Sequence, residues 1–183
     1  MTQLLETERL LLTPVTQDDW RDYHPILADP RTSHRSNLPR KPTEKRTQGV
    51  VRWMVRMGKS GKGFGWMIRE RETGQLAGCI RINSIDKQQS VGIIGYEIAP
   101  SMWGKGYATE ALAAVVRHGH ESVGIHRLEA WTLDGNEQSD RVLLKAGFRR
   151  EGTQRSKMRL GRERFDMHLF GRLADDSPVT VRT

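Results

Sequence analysis

The chain has 183 residues, with 36% hydrophobic and 28% charged side chains, a formal net charge of +8 and one cysteine. That balance excludes a disordered chain and fits a globular protein, with residues 1–173 read as one domain and 174–183 as a loose tail. No uncharged apolar run approaches the ~18 residues of a membrane span, MTQLLETERLLLT is too charged for a signal peptide, and Cys79 alone allows no internal disulfide; the expected location is cytoplasmic.

In chain order, ETERLLLTPV predicts a strand over Leu10–Thr13, ended by Pro14. A polar helix then starts at Thr16, with Asp18 and Asp19 where the helix dipole favours acids. Pro42 and Thr43 open a second helix with Val50, Val51, Met54 and Val55 on one stripe, and GKSGKGFG (58–65) reads as a loop. Three strands follow, over 65–70, 75–82 and 91–100, joined by short turns that favour antiparallel pairing. Cys79, within LAGCIRI, reads as a small core hydrophobe. Beyond Pro100, Ala108, Ala111, Leu112, Val115 and Val116 trace the apolar face of a helix. HRLEAWT (126–132) is a strand, DRVLLKAGF a helix closed by Gly147, and the rest two strands with a basic connection. The whole predicts an α+β architecture on a mostly antiparallel sheet.

Charge is concentrated. Residues 31–62 hold Arg31, Arg35, Arg40, Lys41, Lys45, Arg46, Arg52, Arg56, Lys59 and Lys62 against one acid, Glu44. Such a segment is either a solvated face or a dock for something anionic: a phosphorylated cofactor, an RNA-rich particle or an acidic peptide.

The stretch with the most chemical content is GIIGYEIAPSMWGKGYATEALAAVV, residues 92–116. A strand, a turn with Gly104 and Gly106, and a helix N-terminus follow one another directly. Successive N–H groups in such a turn, added to the positive end of a helix dipole, suit a pyrophosphate. Lys105 adds charge. Neither the nucleotide loop GxxxxGK[ST] nor the dinucleotide fingerprint GxGxxG is present, the latter failing at Thr109.

Residues 103–108 resemble the acetyl-coenzyme A loop of the GNAT superfamily, [QR]xxGx[GA]. Gly106 and Ala108 match, and Trp103 departs from the usual Gln or Arg. WGKGYATEAL and the preceding IGYEIAP are similar to the ribosomal-protein N-terminal acetyltransferase branch. So is HRLEAWTLDGNEQSDRVLLKAGF, where Asn136, Ser139, Val142, Lys145, Gly147 and Phe148 fit N-xx-S-xx-V-xx-K-x-GF. The resemblance implies a GNAT-like mixed sheet of about seven strands with splayed fourth and fifth strands, flanked by about four helices. It implies acetyl-CoA as cosubstrate, bound by Trp103, Gly104, Lys105, Gly106, Tyr107, Ala108 and Thr109, with Ile98 and Ala99 offering backbone groups to the pantetheine arm and Asn136 and Ser139 beyond it.

Transfer needs a neutral amine and a donor for the departing thiolate. The resemblance makes Ser139 the candidate donor, although a serine ahead of DRVLLKAGF is also a good N-cap. Glu97, on the strand lining the slot, and Glu129, on the strand facing it, are the candidate bases. The expected acceptor is a primary amine, foremost a protein N-terminus, with ribosome association and a homodimer as further partner expectations. A small-molecule amine acetyltransferase and a non-enzymatic acetyl-CoA-binding module are the alternatives. No metal site is expected: His118, His120 and His126 lack ligand spacing.

Overall fold

The computed structural model describes residues 2–33 and 41–177. A two-residue strand, β1 (Leu5–Glu6), and β2 (Leu10–Pro14) open it. Thr16 then caps a single 3-10 turn: its N–H and hydroxyl both donate to Asp19, at 2.7 and 2.9 Å, and α1 (Trp20–Ala28) continues. The short α2 (Pro30–Ser33) follows. α3 (Glu44–Ser60) starts where the Thr43 side chain accepts the Arg46 N–H and stops where Gly61 turns left-handed. The glycine-rich segment read as a loop is thus divided between the end of α3 and the start of β3 (Phe64–Glu70). β4 (Leu76–Asp86), β5 (Val91–Ile98), α4 (Tyr107–Arg117), β6 (Arg127–Leu133), α5 (Glu137–Lys145), β7 (Arg149–Leu160) and β8 (Glu163–Leu173) complete the order.

All eight strands join one sheet in the order β1-β2-β3-β4-β5-β6-β8-β7. Every pair is antiparallel except β5–β6, which run parallel and touch only over Val91–Ile93 and Arg127–Glu129. Past those three rungs the two strands part. This is the expected α+β sheet with its splayed pair; β1 adds a strand to the predicted seven, and α2 a helix to the predicted four.

Strand alternation assigns the faces. Met67, Cys79, Arg81 and Glu97 point to α1 and α3: Cys79 Sγ lies 3.7 Å from Met54, and the Tyr23 hydroxyl donates to Glu97 at 2.7 Å. Trp66, Ile80 and Ile82 point the other way, where the Trp66 ring meets His118 edge-on at 5.6 Å and α4 packs. α5 shares that side, tied down by a 2.6 Å bond from the Thr132 hydroxyl to Asp140. Cys79 is fully buried, and burial pushes its thiol up to about 12, which suits a small core residue. Residues 174–177, read as the start of a loose tail, are fastened: the Ala174 N–H donates to His126 O at 2.8 Å, and Arg149 pairs with Asp176 at 2.8 Å. Residues 178–183 lie outside the described residues.

Candidate active site

Where β5 and β6 part, a cavity of about 340 Å³ opens between the end of β5, the turn into α4, and α5. A second of about 100 Å³ adjoins it, and the two share Tyr96, Glu97, Asn136 and Ser139. The slot therefore joins both faces of the sheet through its one gap.

The turn at one end is built for backbone exposure. Gly104 and Gly106 have φ of 80° and 81°, a region that side chains with a Cβ avoid, and a Cβ on Gly104 would meet nothing within 4 Å. α4 begins at Tyr107, and the first intrahelical bond recorded there is from the Glu110 N–H to Gly106 O, at 3.1 Å. The N–H groups of Tyr107, Ala108 and Thr109 therefore lack intrahelical acceptors and face outward with the positive end of the dipole.

This turn is clamped from behind. Arg9 donates from Nη1 to Lys105 O at 3.0 Å and from Nε to Glu110 at 2.8 Å, and the Thr7 hydroxyl donates to Glu110 at 2.6 Å. Partial burial pushes the Glu110 carboxyl up, but these bonds outweigh it and hold the group below its ordinary value. The Tyr107 hydroxyl donates to Glu70.

Of the residues expected to hold the cofactor, Ile98, Trp103, Gly104, Gly106, Tyr107, Ala108, Thr109, Asn136 and Ser139 all line the larger cavity. Two do not. Lys105 turns its ammonium to Glu70, 3.5 Å away, and the Ala99 N–H donates to Ala77 O at 2.8 Å. Because Ala99 faces β4, alternation turns the backbone groups of Tyr96 and Ile98 to the open edge. The Ile98 carbonyl already accepts the Trp103 Nε1–H at 2.8 Å, so Trp103 closes the end of the edge.

The candidate catalytic residues fare differently. Asn136, not Ser139, is the N-cap of α5: its side chain accepts the Ser139 N–H at 3.4 Å. The helix begins before Ser139, which frees the serine from the capping role. Ser139 O accepts the Tyr96 hydroxyl at 3.3 Å, and burial pushes that phenol well up, keeping it a neutral donor.

Glu97 borders the slot with its carboxylate already engaged. Arg81 grips both of its oxygens, one at 2.9 Å, and Tyr23 donates to it as well. Burial alone would push the Glu97 carboxyl up; Arg81 overrides this and holds it below the carboxylate range. Glu129 stands apart from the slot. It stands opposite Ile93 at the closed end of the gap, pairs with Arg127 at 2.8 Å, and lines neither cavity.

Tyr96, Gln138, Arg141 and Thr32 also line the slot without a sequence signal of their own, as do Arg31, expected only as part of the basic segment, and Lys145, expected only as a motif match. Gln138, Arg141, Val142 and Lys145 recur at helical spacing, a face legible only once α5 is started at Glu137. Arg141 and Lys145, with Arg31, are the cations that line the slot.

With this geometry in view, comparisons agree on the family. Residues 9–149 match the model of the acetyltransferase (GNAT) domain. YoaA of Bacillus subtilis, described as an uncharacterized N-acetyltransferase, is 28% identical over 170 residues, covering 93% of this chain and 96% of the relative. The ribosomal protein uS5-alanine N-acetyltransferase of Escherichia coli is 28% identical over 158 residues, 81% of this chain and 79% of its own. Among solved structures, RimL, a ribosomal L7/L12 α-N-protein acetyltransferase in complex with coenzyme A, superposes with a TM-score of 0.86 at 19% identity, covering 93% of this chain and 98% of that one.

Proposed function

The chain belongs to the GNAT acetyltransferase family and uses acetyl-CoA as cosubstrate; from that premise we propose that its acceptor is the N-terminal α-amine of a protein. The observation that carries the choice of amine is the lack of a free carboxylate among the described lining residues. Among the described residues, the one carboxylate lining the larger cavity is Glu97, and Arg81 holds it. A site whose described lining offers no free carboxylate favours an amine that deprotonates by itself. Near pH 7.5 about a third of α-amines are neutral, against roughly one in a thousand lysine-type amines, from reference values of ~7.8 and ~10.4. That factor of several hundred outweighs modest differences in binding. The resemblance to the ribosomal-protein branch supports the same acceptor class.

In this reading the neutral amine attacks the thioester carbon, a C–N bond forms and the C–S bond breaks. The proton goes to water in the slot. N–H groups along the open edge of β5 steady the extended arm as an added strand would, and those at the start of α4, with Arg141 and Lys145, hold its pyrophosphate. Sulfur leaves as the thiolate, steadied by a hydrogen bond from the Ser139 hydroxyl, which keeps its proton, and Tyr96 fixes the backbone that carries it.

The test is release of coenzyme A thiol with a panel of acceptors: peptides with free N-termini, the same peptides blocked but bearing lysine, polyamines and amino acids. Turnover confined to free N-termini is expected. Polyamines or lysine as the best acceptors would refute the reading, and binding of acetyl-CoA with no turnover would favour a sensor. Ser139→Ala should lower kcat about a hundredfold with little change in KM for acetyl-CoA, because the donor acts in the transition state. As Asn136 is the cap, stability should stay within about 0.5 kcal/mol of the parent.

A further inference from the structure

Outside the slot, one surface is built at a physical cost that nothing inside the protein explains. Thr47, Val51 and Met54 of α3 are buried, and the helix packs against α1 and β3. Its opposite stripe carries Lys45, Arg52, Arg56 and Lys59, all exposed. These positions, with Gly49, recur at helical spacing along ~21 Å of surface. Glu44 is the single acid in α3, and among the described residues none of the four cations has an ion-pair partner. Arg52, Arg56 and Lys59 stand at i, i+4 and i+7, where like charges destabilise a helix. An ordinary solvated face mixes signs; this one does not.

The second observation is Gly49. It sits mid-helix, in the centre of the stripe, and a Cβ there would meet nothing within 4 Å. No left-handed φ requires it. Glycine weakens a helix interior, so its presence with open space above calls for a reason outside the chain.

We propose that the α3 stripe docks the phosphodiester backbone of double-stranded RNA, with the backbone passing over Gly49 between Lys45 and Arg52. The stripe holds cations and a glycine, with no aromatic to stack unpaired bases, which suits phosphate contact to a paired strand. α3 lies flush on the sheet with its apolar side buried, so it cannot enter the deep major groove of B-form DNA as a recognition helix. It presents a shallow ridge, matched to the wide, shallow minor groove of A-form RNA. That buried apolar side likewise leaves nothing to insert into a bilayer. Of the cations expected to gather on this segment, only Arg31 lines the slot, and Arg35 and Arg40 lie outside the described residues. The surface is thus separate from the acetyl-transfer site, and the proposal stands whatever the acceptor proves to be.

Binding of the full chain to a labelled 20-base-pair RNA duplex, followed by anisotropy at several salt concentrations, tests it. A slope of log affinity against log salt of about −3 to −4 is expected for four phosphate contacts. Replacing Lys45, Arg52, Arg56 and Lys59 together with Gln should weaken binding by ~30-fold or more and flatten that slope, with acetyl transfer unchanged. Gly49→Glu, which puts a good helix former in open space, should weaken binding by ~10-fold while the melting temperature holds or rises. Three outcomes would overturn the proposal: equal affinity in the fourfold variant, equal affinity for the DNA duplex of the same sequence, or preference for vesicles containing anionic lipid over RNA.

Discussion

Arg81→Met is expected to destabilise the protein by about 3–5 kcal/mol, the cost of leaving a buried carboxylate without its partner. Arg81 and Glu97 are both largely buried, with side-chain exposures of 12% and 6%, and Tyr23 completes the cluster. The pH dependence identifies the cause. In the parent, Glu97 is held below its unfolded value of ~4.3, so its contribution is complete above that pH and is lost as acid takes the folded carboxyl through its own lower value. In Arg81→Met the carboxyl loses its cation and burial raises it instead. The destabilisation should then grow as pH rises above ~4.3 and shrink toward it. Urea midpoints from pH 4 to 8 would show this as a fall with rising pH that the parent, whose Glu97 contribution is already complete over most of that range, lacks. The double variant Arg81→Met, Glu97→Leu should recover most of the loss, since an apolar pair can replace a buried ion pair. A single variant as stable as the parent at pH 7 would mean that the cluster carries no such weight.

The second large effect concerns the turn before α4. Acetyl-CoA at a hundred times its dissociation constant adds about 2.7 kcal/mol to the native state. For a chain of this size that raises Tm by roughly 5–10 °C. Gly104→Glu should abolish the rise. A Cβ at Gly104 has open space, so the free protein loses only the left-handed strain of ~1 kcal/mol. The carboxylate, however, would compete with the pyrophosphate for the N–H donors proposed to hold it. Thermal scans with and without acetyl-CoA, paired with calorimetry, separate the two. A variant that keeps the full ligand-induced rise would place the pyrophosphate elsewhere.

What could be read from the sequence follows from how local each signal is. Gly104, Gly106 and the apolar stripe from Ala108 to Val116 lie within one short stretch, and the turn and helix they specify are where they were expected. α5 was started late because its first turn, Glu137-Gln138-Ser139, is polar throughout and apolar periodicity begins only at Val142. That shift hid Asn136 as the cap and the slot-facing row of Gln138, Arg141 and Lys145. The fate of Glu97 was illegible for a different reason. Its partner Arg81 lies on the neighbouring strand, where Arg81 stands opposite Gly95, and only the register of β4 against β5 makes them diagonal neighbours. Glu129 looked equivalent to Glu97 until the strands were seen to part just beyond it.

The sheet order also governs when this site can exist during synthesis. β1 to β5 pair with sequence neighbours, so that half of the sheet can close as it leaves the ribosome. The other wall cannot. β8 is last in sequence yet lies between β6 and β7, and β6 meets β5 through only three rungs. Until residues near Leu173 emerge, β6 lacks its long antiparallel partner and α5 has no finished surface to rest on. The nascent chain can therefore present the Gly104–Gly106 turn well before it can present Ser139 opposite it. A truncation before β8 is a half-slot with an unpaired edge, prone to association with its own kind.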